Sequence, residues 1–377
     1  MNTVNRNRWG RLYHGETGID FYGRRRRGFM FSLVLIVISL ASLFTKGINL
    51  GLDFEGGVAW QVPSSQDFGT DETRAVLDAN GVETSNAKIQ VLQSGSQEFV
   101  RVQVGDQTLE VRQKVQQELA TAAGVETAEV SVSSVSSSWG RAITEKAVRA
   151  LIIFLVLVAI YIAWRFEWRM AISAILAMAH DVLVSVGIYS VFSFEVTPAT
   201  IVAFLTILGY SLYDTIVVFD KVQENIKRFE ATRTPVADIV NVSTNQVLMR
   251  SINTSVAAIL PVLSLLVLGS EILGAIALRE FSVALLVGIT TGAYSSIFIA
   301  TPLLAMLKEN EARFKTLRGS HTTGPALVQM VVSGTTVSAR RSRQDSTEGA
   351  EPSSSPVVAT ASSLLTHPPR PRKKRRR

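Results

Sequence analysis

Long apolar runs broken by short polar stretches dominate the chain between Gly28 and Leu307. A helix rising about 1.5 Å per residue needs about 20 residues to cross the roughly 30 Å of a bilayer's hydrocarbon. Six runs approach that length: Gly28–Thr45, Ala147–Trp164, Met170–Phe192, Val196–Phe219, Ser251–Leu268 and Phe281–Leu307. Six runs so poor in charge are not expected of soluble core helices, and they predict a polytopic α-helical membrane protein with six transmembrane helices.

The stretch 46–146 has a different rhythm. Val58–Val62 and Ala87–Leu92 are short strand-like runs, and Phe99–Val104 alternates, with Val100, Val102 and Val104 on one face. Thr70 followed by Asp71 and Glu72 reads as a helix start, an oxygen cap and early acids serving the free amides. Thr108 precedes Val111, Val115, Leu119 and Ala122, a stripe that buries one helix face. With Glu126–Val132 as a last strand, the order βαββαβ predicts a ferredoxin-like α+β domain between spans one and two. Ser131–Ser138 reads either as a flexible connection or as a plain strand end.

Charge is sorted along the chain. Residues 1–27 carry seven arginines against Glu16 and Asp20, a net of +5. Residues 46–146 carry eight basic and fourteen acidic side chains, or −6, and residues 308–377 carry fourteen basic and five acidic, or +9. Arg24–Arg27 flank the first span, and Arg165 and Arg169 lie between the second and third. The bias of arginine toward the cytoplasmic side therefore predicts a basic cytoplasmic N-terminus (1–27), a first helix (28–45), an extracytoplasmic domain (46–146), spans two to six (147–307) and a basic, low-complexity, disordered cytoplasmic tail (308–377). A cleaved signal peptide competes for the first 45 residues. The apolar run exceeds the usual length and lacks a clear A-x-A site, which favours an uncleaved anchor.

Composition narrows the chemistry. The chain has 377 residues, 47% hydrophobic and 18% charged, with four histidines and no cysteine. Disulfides, thiolate metal sites and a cysteine nucleophile are excluded, and no Walker A loop, nucleophile elbow or HExxH occurs. The chain is expected to be no enzyme and to hold no cofactor or metal.

Three segments and a dipeptide carry a family pattern: Gly51-Leu-Asp53-Phe-Glu55-Gly56-Gly57, Gly209-Tyr210-Ser211-Leu-Tyr213-Asp214-Thr215 running on to Asp220 and Lys221, Gly292-Ala-Tyr294-Ser295-Ser296-Ile-Phe-Ile-Ala300, and His180-Asp181. With the six-span layout these resemble the SecF family of protein-export membrane proteins, a branch of the RND superfamily, over roughly residues 28–310. The resemblance implies export across the bacterial plasma membrane driven by the proton-motive force. It implies as partners SecD, the SecYEG channel, a YajC-type accessory subunit and the exported polypeptide. Tyr213 stands where many members have Asn and Gln223 where Arg is frequent, which leaves the hydrogen bonding around Asp214 open.

Ionised carboxylates inside hydrocarbon cost about 2.5 to 3.5 kcal/mol even on permissive insertion scales. Asp181, central in the third run, and Asp214, about five residues from the predicted cytoplasmic end of the fourth, are therefore candidate proton carriers. Arg250 opens the fifth run on the same side and is within reach of Asp214. The resemblance also associates these positions with proton passage. A fixed salt bridge with Arg250 is the alternative for Asp214, and a helix-facing hydrogen bond for Asp181. A packing role outweighs proton relay for His180.

Asp53 and Glu55 read as shaping the turn after the first span, where Gly56 and Gly57 suit a sharp bend. Gly288 and Gly292 permit close helix approach, with a partner helix as one candidate. Asp220 and Lys221 read as a solvated face. The closing run Arg370–Arg377 resembles a nucleic-acid patch, but beside six spans anionic lipid is the simpler partner, at about 1 kcal/mol per basic residue. Ribosomal RNA is a second electrostatic candidate, with no specific nucleic acid expected. Two further functions remain open: a proton-coupled exporter of small molecules or lipids, and a passive scaffold.

Overall fold

The computed structural model describes residues 8–64, 68–85, 87–94, 97–272 and 276–334; the basic run Arg370–Arg377 and its expected lipid contact lie outside them. In chain order the elements are α1 (Arg8–Tyr13), α2 (Arg25–Thr45), α3 (Leu52–Glu55), β1 (Gly57–Pro63), α4 (Thr70–Ala79), β2 (Lys88–Ser94), β3 (Gln97–Val104), α5 (Leu109–Ala123) and β4 (Ser131–Val135). There follow α6 (Ser137–Arg165), α7 (Trp168–Val191), α8 (Pro198–Arg228), α9 (Val236–Ser264), α10 (Ile276–Ser295), α11 (Thr301–Lys308) and α12 (Gly324–Ser333). Wide-turn π segments, Leu265–Ile272 and Ser296–Ala300, follow α9 and α10.

Among the described residues six helical stretches are long and apolar enough to cross a membrane, and each overlaps one of the predicted runs, with Phe192 falling just past α7 and Val196 and Thr197 just before α8. The helices outrun the oily windows: α6 begins ten residues before Ala147, α8 ends nine residues after Phe219, and α9 starts fifteen residues before Ser251. The reason is that apolarity marks only the part facing hydrocarbon, whereas backbone hydrogen bonding continues into polar turns. The α8 start is fixed by Thr197, which accepts from the Thr200 amide at 3.4 Å, with Pro198 at the first helical position. In the apolar windows 56% of α7 residues and 61% of last-span residues are buried, against 6% in α6 and 11% in α9. The third and sixth spans thus form the interior of the bundle, while α6 and the outer half of α9 turn apolar side chains outward.

Residues 57–135 form the α+β domain. Its four strands lie in the order β2-β3-β1-β4, every pair antiparallel, which is the ferredoxin-like arrangement. Trp60 pairs with Val102 on one side and Val132 on the other. Val100, Val102 and Val104 face the helices with Val58, Trp60 and Val62, as the alternation predicts. Val115 and Leu119 bury as expected, but Ala122 is exposed and Ala120 takes the buried place. Thr108 does cap α5, at 3.4 Å from the Val111 amide. Thr70 is not a cap: it lies inside α4, and Glu72 reaches back to the Gly69 amide at 2.9 Å. The last strand is displaced as well. Thr127–Glu129 is a tight turn and β4 occupies Ser131–Val135, so the serine stretch begins as an edge strand, and Ser136 caps α6, which Ser137 and Ser138 open, with no flexible connection between them.

The other end of the bundle carries a polar cap that hydropathy does not announce. Asn245 and Asn241 accept from the amides of Ile19 and Tyr22, both at 2.9 Å. The Tyr22 hydroxyl donates to Glu309 at 2.6 Å, and nearly buried Lys308 sits between Glu167 and Glu311. Burial, with Glu309 adding to it, pushes the Tyr22 hydroxyl up from 10.0 to about 12. The raised value means its contribution is complete below pH 10 and fades as pH rises toward 12. Tyr22→Phe, which leaves the buried Glu309 carboxylate without this donor, is expected to cost about 1–3 kcal/mol, read as a lower thermal midpoint in detergent.

Candidate functional site

Two carboxylates lie in the bundle interior. Asp181 is the fourteenth residue of α7, and Asp214 the seventeenth of α8's 31 residues. Both are buried. Asp181 Oδ2 accepts from Ser211 at 2.5 Å and from Ser295 at 2.7 Å, and Oδ1 is 3.0 Å from His180 Nδ1. Asp214 Oδ1 accepts from Ser251 at 2.5 Å and Oδ2 from Ser296 at 2.8 Å. Buried charge is tolerated only where hydrogen bonds replace water, and four serines on α8, α9 and the sixth span supply those bonds here.

Neither aspartate meets a lysine or arginine among the described residues. The expected Asp214–Arg250 pair is not formed: Arg250 Nη2 donates to the Tyr213 hydroxyl at 3.1 Å on the exposed side. Helix geometry is the cause. Successive residues point about 100° apart, so when Arg250 faces outward Ser251 turns inward and fills the place beside Asp214. Tyr213, which departs from the family pattern, is the residue that holds the guanidinium. Ser251 is the contact of Asp214 that the motifs missed; nothing in its sequence context marks it.

The glycines set the spacing. A Cβ on Gly292 would stand 2.9 Å from Ser211 Cβ, and one on Gly288 2.2 Å from Ile207 Cδ1. Gly288 and Gly292 thus seat α10 against α8 of the same chain, and that face is not free for a partner helix. A Cβ on Gly209 would meet nothing within 4 Å; the residue instead lines a cleft of about 630 Å³ with Tyr210, Tyr213, Asp214, Thr254 and Ala293. A second cleft, of about 560 Å³, joins Thr254 to Arg250, Asn253 and His14 at the capped end. A separate cavity of about 180 Å³ touches Asp181, Val182 and Ser185 and runs toward Ile48 and Val196 near the α+β domain. Each aspartate borders a cavity of its own. Ser185 Oγ and His180 Nε2 are buried without a partner among the described residues.

The remaining motif residues are structural in place. Thr215 is buried in α8, and the Tyr294 hydroxyl donates to the Gly28 carbonyl at 2.8 Å, tying the sixth span to the first. Asp220 pairs with Arg165 at 2.8 Å, half exposed, and Lys221 with Glu224. Gly56 and Gly57 take φ of 77° and 113°. Asp53 lines a cleft with Arg101, Glu195 and Glu280, while Glu55 bonds Lys88 at 2.7 Å. Arg101 on β3 reaches Glu195 of the α7–α8 loop at 2.9 Å, and Gly51 and Val196 pair their backbones. β3 and the turn before the α+β domain are therefore bonded directly to the α7–α8 loop.

Residues 114–310 match the family model "Protein export membrane protein SecD/SecF, C-terminal", and residues 41–66 match the SecD/SecF GG motif. The chain is 42% identical over 310 residues to protein translocase subunit SecF of Streptomyces coelicolor, covering 82% of both. It is 42% identical over 309 residues to that of Mycobacterium tuberculosis, covering 79% of this chain and 69% of the relative. Among solved structures it is similar to SecDF, a translocon-associated membrane protein from Thermus thermophilus, with a TM-score of 0.70 and 33% identity over 78% of this chain. A super-membrane-facing form of SecDF gives 0.56 and 31%. The chain spans about two fifths of those SecDF chains, 39% and 40%.

Proposed function

The chain belongs to the SecD/SecF family of protein-export membrane proteins, as a SecF-type translocase subunit, and from that membership we propose that it converts the proton-motive force into movement of its α+β domain during protein export. In this reading it works with SecD beside the SecYEG channel in the bacterial plasma membrane. Both basic flanks face the cytoplasm and the α+β domain lies outside, as the arginine asymmetry suggests. The chain carries out no covalent chemistry.

One observation carries the reading: two buried carboxylates in the bundle, each cradled by serine hydroxyls, with His180 beside Asp181 and no lysine or arginine partner among the described residues. A permanent structural charge would call for a cation, whereas a group that alternates between charged and neutral needs neutral donors that tolerate both. The force suffices. One charge moved through about 150 mV yields roughly 3.5 kcal/mol, at about 2.3 per 100 mV, enough to bias a two-state equilibrium a few hundredfold. The Arg101–Glu195 bond and the Gly51–Val196 pairing offer the link from helix movement to the domain.

The direct test is reconstitution with SecD and the channel in vesicles, following preprotein transport and luminal pH together. Transport should rise when a proton gradient is imposed and be accompanied by proton flux. Transport indifferent to the gradient refutes the proposal, and a chain that purifies from mild detergent without SecD counts against the partnership.

A further inference from the structure

Both aspartates are served by one point in the fold. Ser295, the last residue of α10, donates to Asp181, and Ser296, the first of the π segment, donates to Asp214. Both serines are fully buried. Each hydroxyl also has a second acceptor: Ser295 Oγ lies 3.3 Å from the Gly292 carbonyl, and Ser296 Oγ 3.2 Å from that of Ala293. The other two serines of the site, Ser211 and Ser251, donate only to their carboxylates among the described residues.

A hydroxyl carries one proton and two acceptor lone pairs, and its proton turns freely about the C–O bond. Beside an ionised aspartate the serine proton points at the carboxylate. Once the aspartate takes up a proton, its own O–H donates to the serine oxygen, and the serine proton turns to the carbonyl three residues back. Every donor is then satisfied in both states, and the serine keeps its proton throughout. Without that second acceptor, protonation would set two hydroxyl protons against one another or leave one unmatched in a buried site, which is costly. Departures from regular α geometry such as the π segment at Ser296 recur at functional positions.

We propose that Ser295 and Ser296 are positioning residues that act as a proton-state adaptor: each keeps its aspartate hydrogen-bonded whether charged or neutral, so that a single helix junction answers to the charge of both. This rests on the proton-coupled reading above and adds to it the groups that make both charge states accessible.

Threonine and valine have nearly the same shape and differ by the hydroxyl, so they separate hydrogen bonding from packing. Ser296→Val and Ser295→Val, in vesicles with SecD and the channel, should lose about tenfold or more of gradient-driven transport, the factor expected for one hydrogen bond to a charged group. Their pH profiles should also be displaced, whereas Ser296→Thr and Ser295→Thr should stay within about threefold of the parent. Equal losses in the valine and threonine variants overturn the adaptor. Asp214→Asn runs in parallel. If it is inactive while the valine variants are normal, the adaptor fails and proton coupling survives; if it transports normally, the proton reading itself fails. As a second measurement, Ser296→Ala adds no bulk. The infrared carbonyl band of the protonated Asp214 carboxyl should shift when its acceptor is removed, and an unmoved band overturns the assignment.

Discussion

Asp214→Asn should abolish gradient-driven transport while leaving assembly with SecD intact. The substitution keeps the shape of the side chain and an oxygen able to accept from Ser251, now at 2.5 Å. The new amide would face Ser296, whose hydroxyl proton can turn to the Ala293 carbonyl 3.2 Å away and present its oxygen instead. Folding is thus expected to survive, within about 1 kcal/mol. What is lost is the ability to carry a charge through the field, worth roughly 3.5 kcal/mol at about 150 mV, so the gradient's effect on transport should fall by about two orders of magnitude. Preprotein transport and luminal pH in co-reconstituted vesicles measure it. A variant that assembles and transports at the parent rate would leave the chain the role of a passive scaffold.

Gly57→Ala should unfold the α+β domain. Gly57 takes φ 113°, and a Cβ there would lie 2.1 Å from the Val104 carbonyl oxygen of the paired strand. Neither atom can move without breaking the β1–β3 register that begins at Val58 and Val104. Backbone strain and overpacking together are expected to cost about 3 kcal/mol or more. A domain of this size, with a core built around Trp60, Val102, Leu77 and Leu119, has only a few kcal/mol to lose. Limited proteolysis of the purified protein should show rapid cutting within residues 57–135 while the helical bundle stays intact. Gly105→Ala is the control: nothing lies within 4 Å of its Cβ position, and a change under about 0.5 kcal/mol is expected. Equal protease resistance of both variants would contradict the packing argument.

Much of the fold is written locally. An oily run long enough for a bilayer forms a helix wherever it sits, because unpaired backbone groups have no partner in lipid; hence six runs and six helical stretches. Alternating Val100, Val102 and Val104 likewise commit one face of β3 to a core. Boundaries were less legible. The polar first turns of α6 and the polar last turns of α8 continue helical hydrogen bonding beyond anything hydropathy marks, and β4 is held by pairing with β1 rather than by its own pattern. At the site, the two buried acids were visible as charges where charge is expensive. Their partners were not.

Sequence alone determined that this chain spans a membrane, that it carries a βαββαβ insertion, and that Asp181 and Asp214 sit in apolar helices. Tertiary structure decided that Arg250 faces Tyr213 while Ser251 faces Asp214, that Gly288 and Gly292 serve α8 of the same chain, and that Ser295 and Ser296 divide between two aspartates. Periodicity along one helix says which residues share a face. Which neighbour that face meets depends on the rotation and crossing of helices far apart in the chain, and here one residue's turn of about 100° separates a salt bridge from a serine cradle.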